Sequence, residues 1–256
     1  MPLYLIDRRE VKEEAKALLK TARVSPFLFT ALFLAIDLLL SEISTAVSYM
    51  TGDSFGFSPL QLSFSFIDML VSLLSTVLLA GFTCYCLGVH SGQEQPYESL
   101  FDAFPFAGKI VLLMLLEGVL IVLGLLVFIV PGIILAFSYA FALYHLCEDP
   151  DIGVVEALRR SRIEMTGYKT QFFMLLLSFL PLMLLFAVPT GVAEYFLRGV
   201  FPDTLPGRLL DTLCNGLLTM FASLYITPYL SLARVGFYRR VLAARTPHVP
   251  PEGDGG

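Results

Sequence analysis

The sequence predicts an all-α, polytopic membrane protein of six transmembrane helices with short cytoplasmic amphipathic helices, and three observations carry that prediction. The 256 residues are 56% hydrophobic and only 15% charged, far from the soluble average. Six apolar stretches, at 26–50, 62–89, 107–130, 131–147, 170–197 and 209–233, are each close to the roughly 20 residues that cross a bilayer. The basic residues divide between alternate connections. Residues 1–23 carry six, 91–109 one, 148–169 four and 234–256 four, whereas the opposite connections carry only Arg198 and Arg208. Lys and Arg stay on the cytoplasmic side during insertion, so both termini are expected there.

The spans account for about half of the chain, and no separate soluble domain is expected. The domain plan is a cytoplasmic amphipathic segment over 1–24, a six-span membrane domain over 25–240 and a disordered, Pro/Gly-rich tail over 241–256. Ser25-Pro26 predicts the start of the first span, with Ser as N-cap and Pro in the first turn. Residues 172–193 and 212–233 contain no Asp, Glu, Lys, Arg or His, which makes the fifth and sixth spans the clearest. The stretch 107–147 is too long for one span. Val130-Pro131-Gly132 divides it into a tight helical hairpin. The first 24 residues are charged and lack a hydrophobic run, so no cleavable signal peptide is expected.

An amphipathic segment precedes each pair of spans, which reads as a faint internal repeat. The first runs from Asp7 to Thr21. The second begins at Pro96 and contains Glu98-Ser99-Leu100, then Gly108-Lys109. The third begins with Asp149 as N-cap and Pro150 at the first helical position, and contains Glu156-Ala157-Leu158, then Gly167 and Lys169. In this third segment Glu156, Arg160 and Glu164 share a face at four-residue spacing and predict two ion pairs. Arg159, Arg160 and Arg162 are candidate contacts to lipid headgroups, because a helix lying in the headgroup layer places its arginines on phosphates.

Carboxylates inside the apolar stretches are the sharpest local clue to function. Asp37, Asp68 and Glu117 lie within spans one, two and three, with no Lys or Arg inside a span, apart from Lys109 at the edge of the third, to neutralise them. A charge at the bilayer midplane costs at least ~2.5 kcal/mol, so each must be protonated, hydrated or hydrogen-bonded. Asp37 shares a face with Thr30, Ser41, Ser44 and Ser48. Asp68 opens a four-residue row of Ser72, Thr76, Ala80, Cys84 and Gly88. Span six carries Asp211, Asn215, Thr219, Ser223, Thr227 and Ser231. Such rows drift by about 40° per step around a helix. They suit close helix packing with interhelical hydrogen bonds, or alternatively the wall of a polar cavity.

The remaining chemistry is sparse. Cys84, Cys86, Cys147 and Cys214 lie in or at the ends of spans without Cys-x-x-Cys spacing, and read as buried, reduced thiols. His145, Cys147, Glu148 and Asp149 are metal-capable, but they have no second cluster to complete a site. A helix end with an interfacial His is the reading there, so no metal and no cofactor are expected. No catalytic motif is present, and the net charge of −5 argues against a nucleic-acid partner.

The C-terminal half carries a recognisable pattern. It reads Pro131-Gly132-Ile133-Ile134, Ser138-Tyr139, Glu148-Asp149-Pro150, Glu156-Ala157-Leu158, Ser161, Met165, Gly167, Lys169, Phe172, Ser178-Phe179, Pro228-Tyr229 and Phe237-Tyr238. This resembles the bacterial integral-membrane family known as domain of unknown function 975, strongly over about 130–240 and more weakly before. A looser version is similar to the membrane domain attached to some glycerophosphodiester phosphodiesterases, whose catalytic domain has no counterpart here. The resemblance implies a multi-pass bacterial plasma-membrane protein with no agreed activity. Members often carry a Trp after the Ser-Phe of the fifth span, whereas this chain has Leu180-Pro181-Leu182 and no Trp.

Together these features point to a non-enzymatic accessory or scaffold protein that engages the lipid bilayer, a partner membrane protein or a second copy of itself. The alternative is a small secondary transporter or export component built on Asp37, Asp68 and Glu117. A third class, an intramembrane enzyme acting on lipid, would have to rely on Glu148 or Asp149.

Overall fold

The computed structural model describes residues 5–51, 59–93, 96–197, 200–201 and 204–245. Among these the chain is all-helical. In order it forms α1 (Arg8–Thr21), α2 (Pro26–Thr51), α3 (Pro59–Ser91), two short 3₁₀ turns (Tyr97–Phe101 and Phe104–Phe106), α4 (Ala107–Val127), α5 (Ile129–Tyr139), α6 (Ala142–Glu148), α7 (Val154–Glu164), α8 (Lys169–Leu177), α9 (Leu180–Leu197) and α10 (Leu205–Arg245). Six helical stretches are long and apolar enough to cross a membrane, at Pro26–Val47, Phe66–Ser91, Tyr97–Val127, Ile129–Glu148, Leu180–Leu197 and within Leu205–Arg245. The tail from 246 onward lies outside the described residues. Residues 241–245, assigned to that tail from sequence, continue α10 as helix.

The densest packing lies at the end of the bundle where both termini meet. α1 is capped by the side chain of Asp7, which accepts from Arg9 N. It buries Val11, Ala15 and Leu19, spaced four apart on one face, and packs this stripe against α10. Arg240 fastens the pair, with its guanidinium 3.0 Å from Glu10 and 3.1 Å from Glu14. Phe29, Phe82, Tyr85, Phe141, Phe172, Phe179, Phe237 and Tyr238 are fully buried in the same region. In contrast α9 buries no residue at all. Lipid tails can cover such an apolar helix without penalty.

Two connections differ from the sequence expectation. The hairpin between the third and fourth spans breaks at Phe128, which is extended, and Pro131-Gly132 lies inside α5. Pro131 is the third residue of that helix, where its missing N–H is one that no intrahelical partner would satisfy. Gly124 and Gly132 let the two arms touch: a Cβ on Gly132 would fall 2.9 Å from the backbone N of Leu125. The third amphipathic segment starts four residues later than expected, at Val154 with Gly153 as N-cap. Asp149 instead ends α6, and its side chain accepts from Asp151 N in a turn.

The expected repeat survives only in outline. The second amphipathic segment is 3₁₀, not a helix like α1 or α7. Its Ser99 and Leu100 are nevertheless buried, as are Ala157 and Leu158 of α7, so both Glu-small-Leu runs bury the last two residues. The following glycines differ. Gly167 adopts φ +88° and needs to be glycine, whereas Gly108 has no such backbone. Lys109 donates to the carbonyl of Pro150, which ties the start of α4 to the turn before α7.

Candidate functional site

The three intramembrane carboxylates do not converge. Asp68 accepts a 2.9 Å hydrogen bond from Ser44 Oγ, which joins α3 to α2. That is the packing role the small-residue rows predict. Asp37 lines a cavity of about 420 Å³ between α2, α9 and α10, together with Ser41, Glu194, Asp211, Thr212, Asn215, Thr219 and Ser223. Asn215 Nδ2 donates to Asp211 Oδ1 at 3.1 Å. Glu117 lines a different cavity, of about 320 Å³, with Thr83, Tyr139, Tyr144, Ser231 and Arg234. The polar row of span six therefore begins in one cavity and ends in the other, as its drift around the helix requires.

Arg234 corrects the expectation that nothing basic stands by for the carboxylates. It follows Ser231 by one turn on the uninterrupted α10 and lines the Glu117 cavity, and its Nε is buried without a hydrogen-bond partner. The signal was present in the sequence as the three-residue step from Ser231. Ending the sixth span at 233 concealed it.

At the terminal end, five ionisable or polar side chains from three helices form a connected network. His145, expected at a membrane interface, is only 7% exposed. Its Nε2 lies 2.7 Å from Glu164 of α7, and its Nδ1 lies 3.3 Å from the hydroxyl of Tyr238 in α10. Tyr238 donates to Glu148 Oε2 at 2.6 Å, and Glu148 Oε1 meets Arg239 at 2.9 Å. Among the described residues no group of three or more His, Cys, Asp or Glu side chains is arranged to hold a metal ion. Nearby, Ser161 is fully buried on α7. Its hydroxyl donates to Ser138 O at 2.8 Å and accepts from Phe141 N at 3.1 Å, satisfying the backbone where α5 breaks into α6. Ser138, Ser161, Met165, Phe172, Phe179, Tyr229 and Tyr238, all part of the pattern quoted above, thus belong to the structural core of this end, and Glu148 meets Tyr238 at its edge.

α7 buries Val154, Ala157, Leu158 and Ser161 and turns its other side outward. That outer side mixes apolar and basic residues, with Val155 71% and Ile163 49% exposed beside Arg159, Arg160 and Arg162. Both Arg159 and Arg160 pair with Glu156, at 2.6 and 3.1 Å. The hydrogen bonds from Arg159 and then Arg160 hold the Glu156 carboxyl down to about 2. The pairs are therefore complete above the usual carboxylate range and lost only as pH falls toward that value. Glu164, expected to pair with Arg160, faces His145 instead.

Cysteine usage also departs from expectation. Cys84 of α3 and Cys147 of α6 form a disulfide, with Cα atoms 5.3 Å apart, while Cys86 and Cys214 are free. The 63-residue separation gives no sequence signature, so spacing alone could not reveal the pair.

Six apolar helices with a packed polar end define a multi-pass helical membrane protein. More narrowly, the chain belongs to the family described as "Protein of unknown function (DUF975)", whose model matches residues 1–142 and 113–245. The match extends through the N-terminal half, where the quoted motifs gave the weaker resemblance. Similarity to glycerophosphodiester phosphodiesterases is not shown. No curated protein and no solved structure matches the chain.

Proposed function

We propose that this chain is a non-enzymatic bacterial plasma-membrane accessory protein whose terminal end is cytoplasmic and engages anionic lipid headgroups through α7. The outer side of α7 carries the proposal, because Arg159, Arg160 and Arg162 stand beside the exposed Val155 and Ile163 on a helix fixed to the bundle by its other face. Apolar side chains at the acyl boundary and guanidinium groups at the phosphates are what an interfacial helix needs. Fifteen of the seventeen basic residues lying on this side of the spans support the orientation.

The test is the preference for spin-labelled phosphatidylglycerol over phosphatidylcholine in nanodiscs. A basic residue near the headgroups is worth about 1 kcal/mol. Arg162→Ala is therefore expected to lower the preference about fivefold, and Arg159→Ala or Arg160→Ala less, since Glu156 already offsets part of their charge. Glu156→Gln should raise it. An Arg159/Arg160/Arg162 triple alanine variant with an unchanged lipid preference would refute this role.

The cavity holding Asp37, Glu194 and Asp211 favours a second reading, a small secondary transporter. Proteoliposomes loaded with a pH-sensitive dye would then show proton flux that Asp37→Asn abolishes, because Asn keeps the size and polarity of the side chain and removes the proton site. Absence of flux in the native protein argues for packing alone.

A further inference from the structure

The Cys84–Cys147 disulfide lies on the wall of a cavity of about 420 Å³ at the terminal end of the bundle. The inner ends of α3 and α6, the first 3₁₀ turn and α10 enclose it, and Ser91, Ser99, Asp102, Glu148 and Arg239 add polar lining. Ser99 is 4% exposed, yet its hydroxyl has no hydrogen-bond partner, and the Nε of Arg239 is likewise buried and unpaired. A buried hydroxyl without a partner costs stability unless a ligand or water meets it. The disulfide is therefore reached through a space that offers hydrogen bonds to a small polar molecule.

We infer that this cavity is a thiol–disulfide exchange site, in which a hydrophilic low-molecular-weight thiol reduces the Cys84–Cys147 bond and its disulfide form restores it. The inference rests on the cytoplasmic assignment of this end, because disulfides facing the cytosol are usually transient and catalytic or redox-sensing. In the first step the thiolate of the small molecule attacks one sulfur of the pair. A mixed disulfide forms, and the other cysteine leaves as thiolate. In the second step another small-molecule thiolate attacks the outer sulfur of that mixed disulfide, which releases the second cysteine thiolate and the oxidised small molecule. Protons from the two incoming thiols end on the two cysteines. Two electrons pass to the protein, so nothing beyond the thiol is required. Reduction removes the only covalent tie between α3 and α6 among the described residues, next to the Glu148–Tyr238–His145 network.

The experiment uses the full chain in nanodiscs with Cys86→Ala and Cys214→Ser, so that only the pair can react. The folded protein is equilibrated with graded ratios of reduced to oxidised glutathione, quenched, and reacted with a maleimide polymer that shifts gel mobility by one step per thiol. The expected result is a joint gain of two thiols as the ratio rises, reversed by oxidised glutathione. Thiols that appear only after denaturant, or a pair that stays reduced in excess oxidised glutathione, would overturn the inference. Repeating the reaction on intact spheroplasts, where added reagents reach only the outer face, separates the orientation from the exchange. Reduction and labelling of the pair there by glutathione and the impermeant maleimide polymer would place the site outside and refute the cytoplasmic assignment, while the exchange chemistry stands.

Discussion

Gly81→Ala is expected to destabilise the fold by about 3 kcal/mol, at the upper end of what overpacking a buried site costs. The cause is backbone against backbone. Gly81 lies in α3 where the first 3₁₀ turn crosses it, and an added Cβ would fall on the carbonyl of Leu100, with the carbonyl carbon 2.8 Å away. Leu100 cannot retreat easily. Its side chain is fully buried, and Ser99 N to Pro96 O and Asp102 N to Ser99 O hold the turn on either side. Gly118→Ala is the control, because no atom outside its own helix lies within 4 Å of the position. It should be neutral or gain a few tenths of a kcal/mol from helix propensity. Unfolding in a graded detergent titration measures both. Equal midpoints for the two variants would mean that the crossing of α3 and the 3₁₀ turn is looser than the packing indicates.

What could be read from the sequence follows from the physics of each element. The six spans were legible because a bilayer demands long apolar helices, and the drift of the Asp211-to-Ser231 row was legible because it is a property of one helix. The hairpin break was located three residues late, since Pro131-Gly132 reads as a turn although proline is tolerated near a helix start. Within the candidate sites, Asp37, Asp68 and Glu117 were visible as charges in apolar stretches. Their separation into a hydrogen bond and two cavities was not, because it depends on which helices meet. The same holds for Tyr238 with Glu148, Glu164 with His145, and Cys84 with Cys147. These pairs join residues far apart in the chain and leave no periodic trace.

Tyr238→Ala is expected to cost about 4 kcal/mol, the range for emptying a large aromatic site in a packed core. Tyr238 is fully buried, with ring centroids of Phe141 and Tyr144 each 5.1 Å away. Tyr238→Phe separates volume from hydrogen bonding. The ring stays, but Glu148 loses a donor at 2.6 Å while Arg239 still holds its other oxygen. A hydrogen bond to a charged group is worth about 2 kcal/mol, so roughly half of the alanine effect should remain. A neutral Tyr238→Phe would show that the hydroxyl contributes nothing. A double-mutant cycle with Glu148→Gln then tests whether the two act together, with about 1 kcal/mol of coupling expected for residues in one network. Because Glu148 is the neighbour of Cys147, the same cycle run on reduced and oxidised protein asks whether the disulfide and the network report on each other. Coupling that falls on reduction would mean that the covalent tie holds α6 in register for Tyr238.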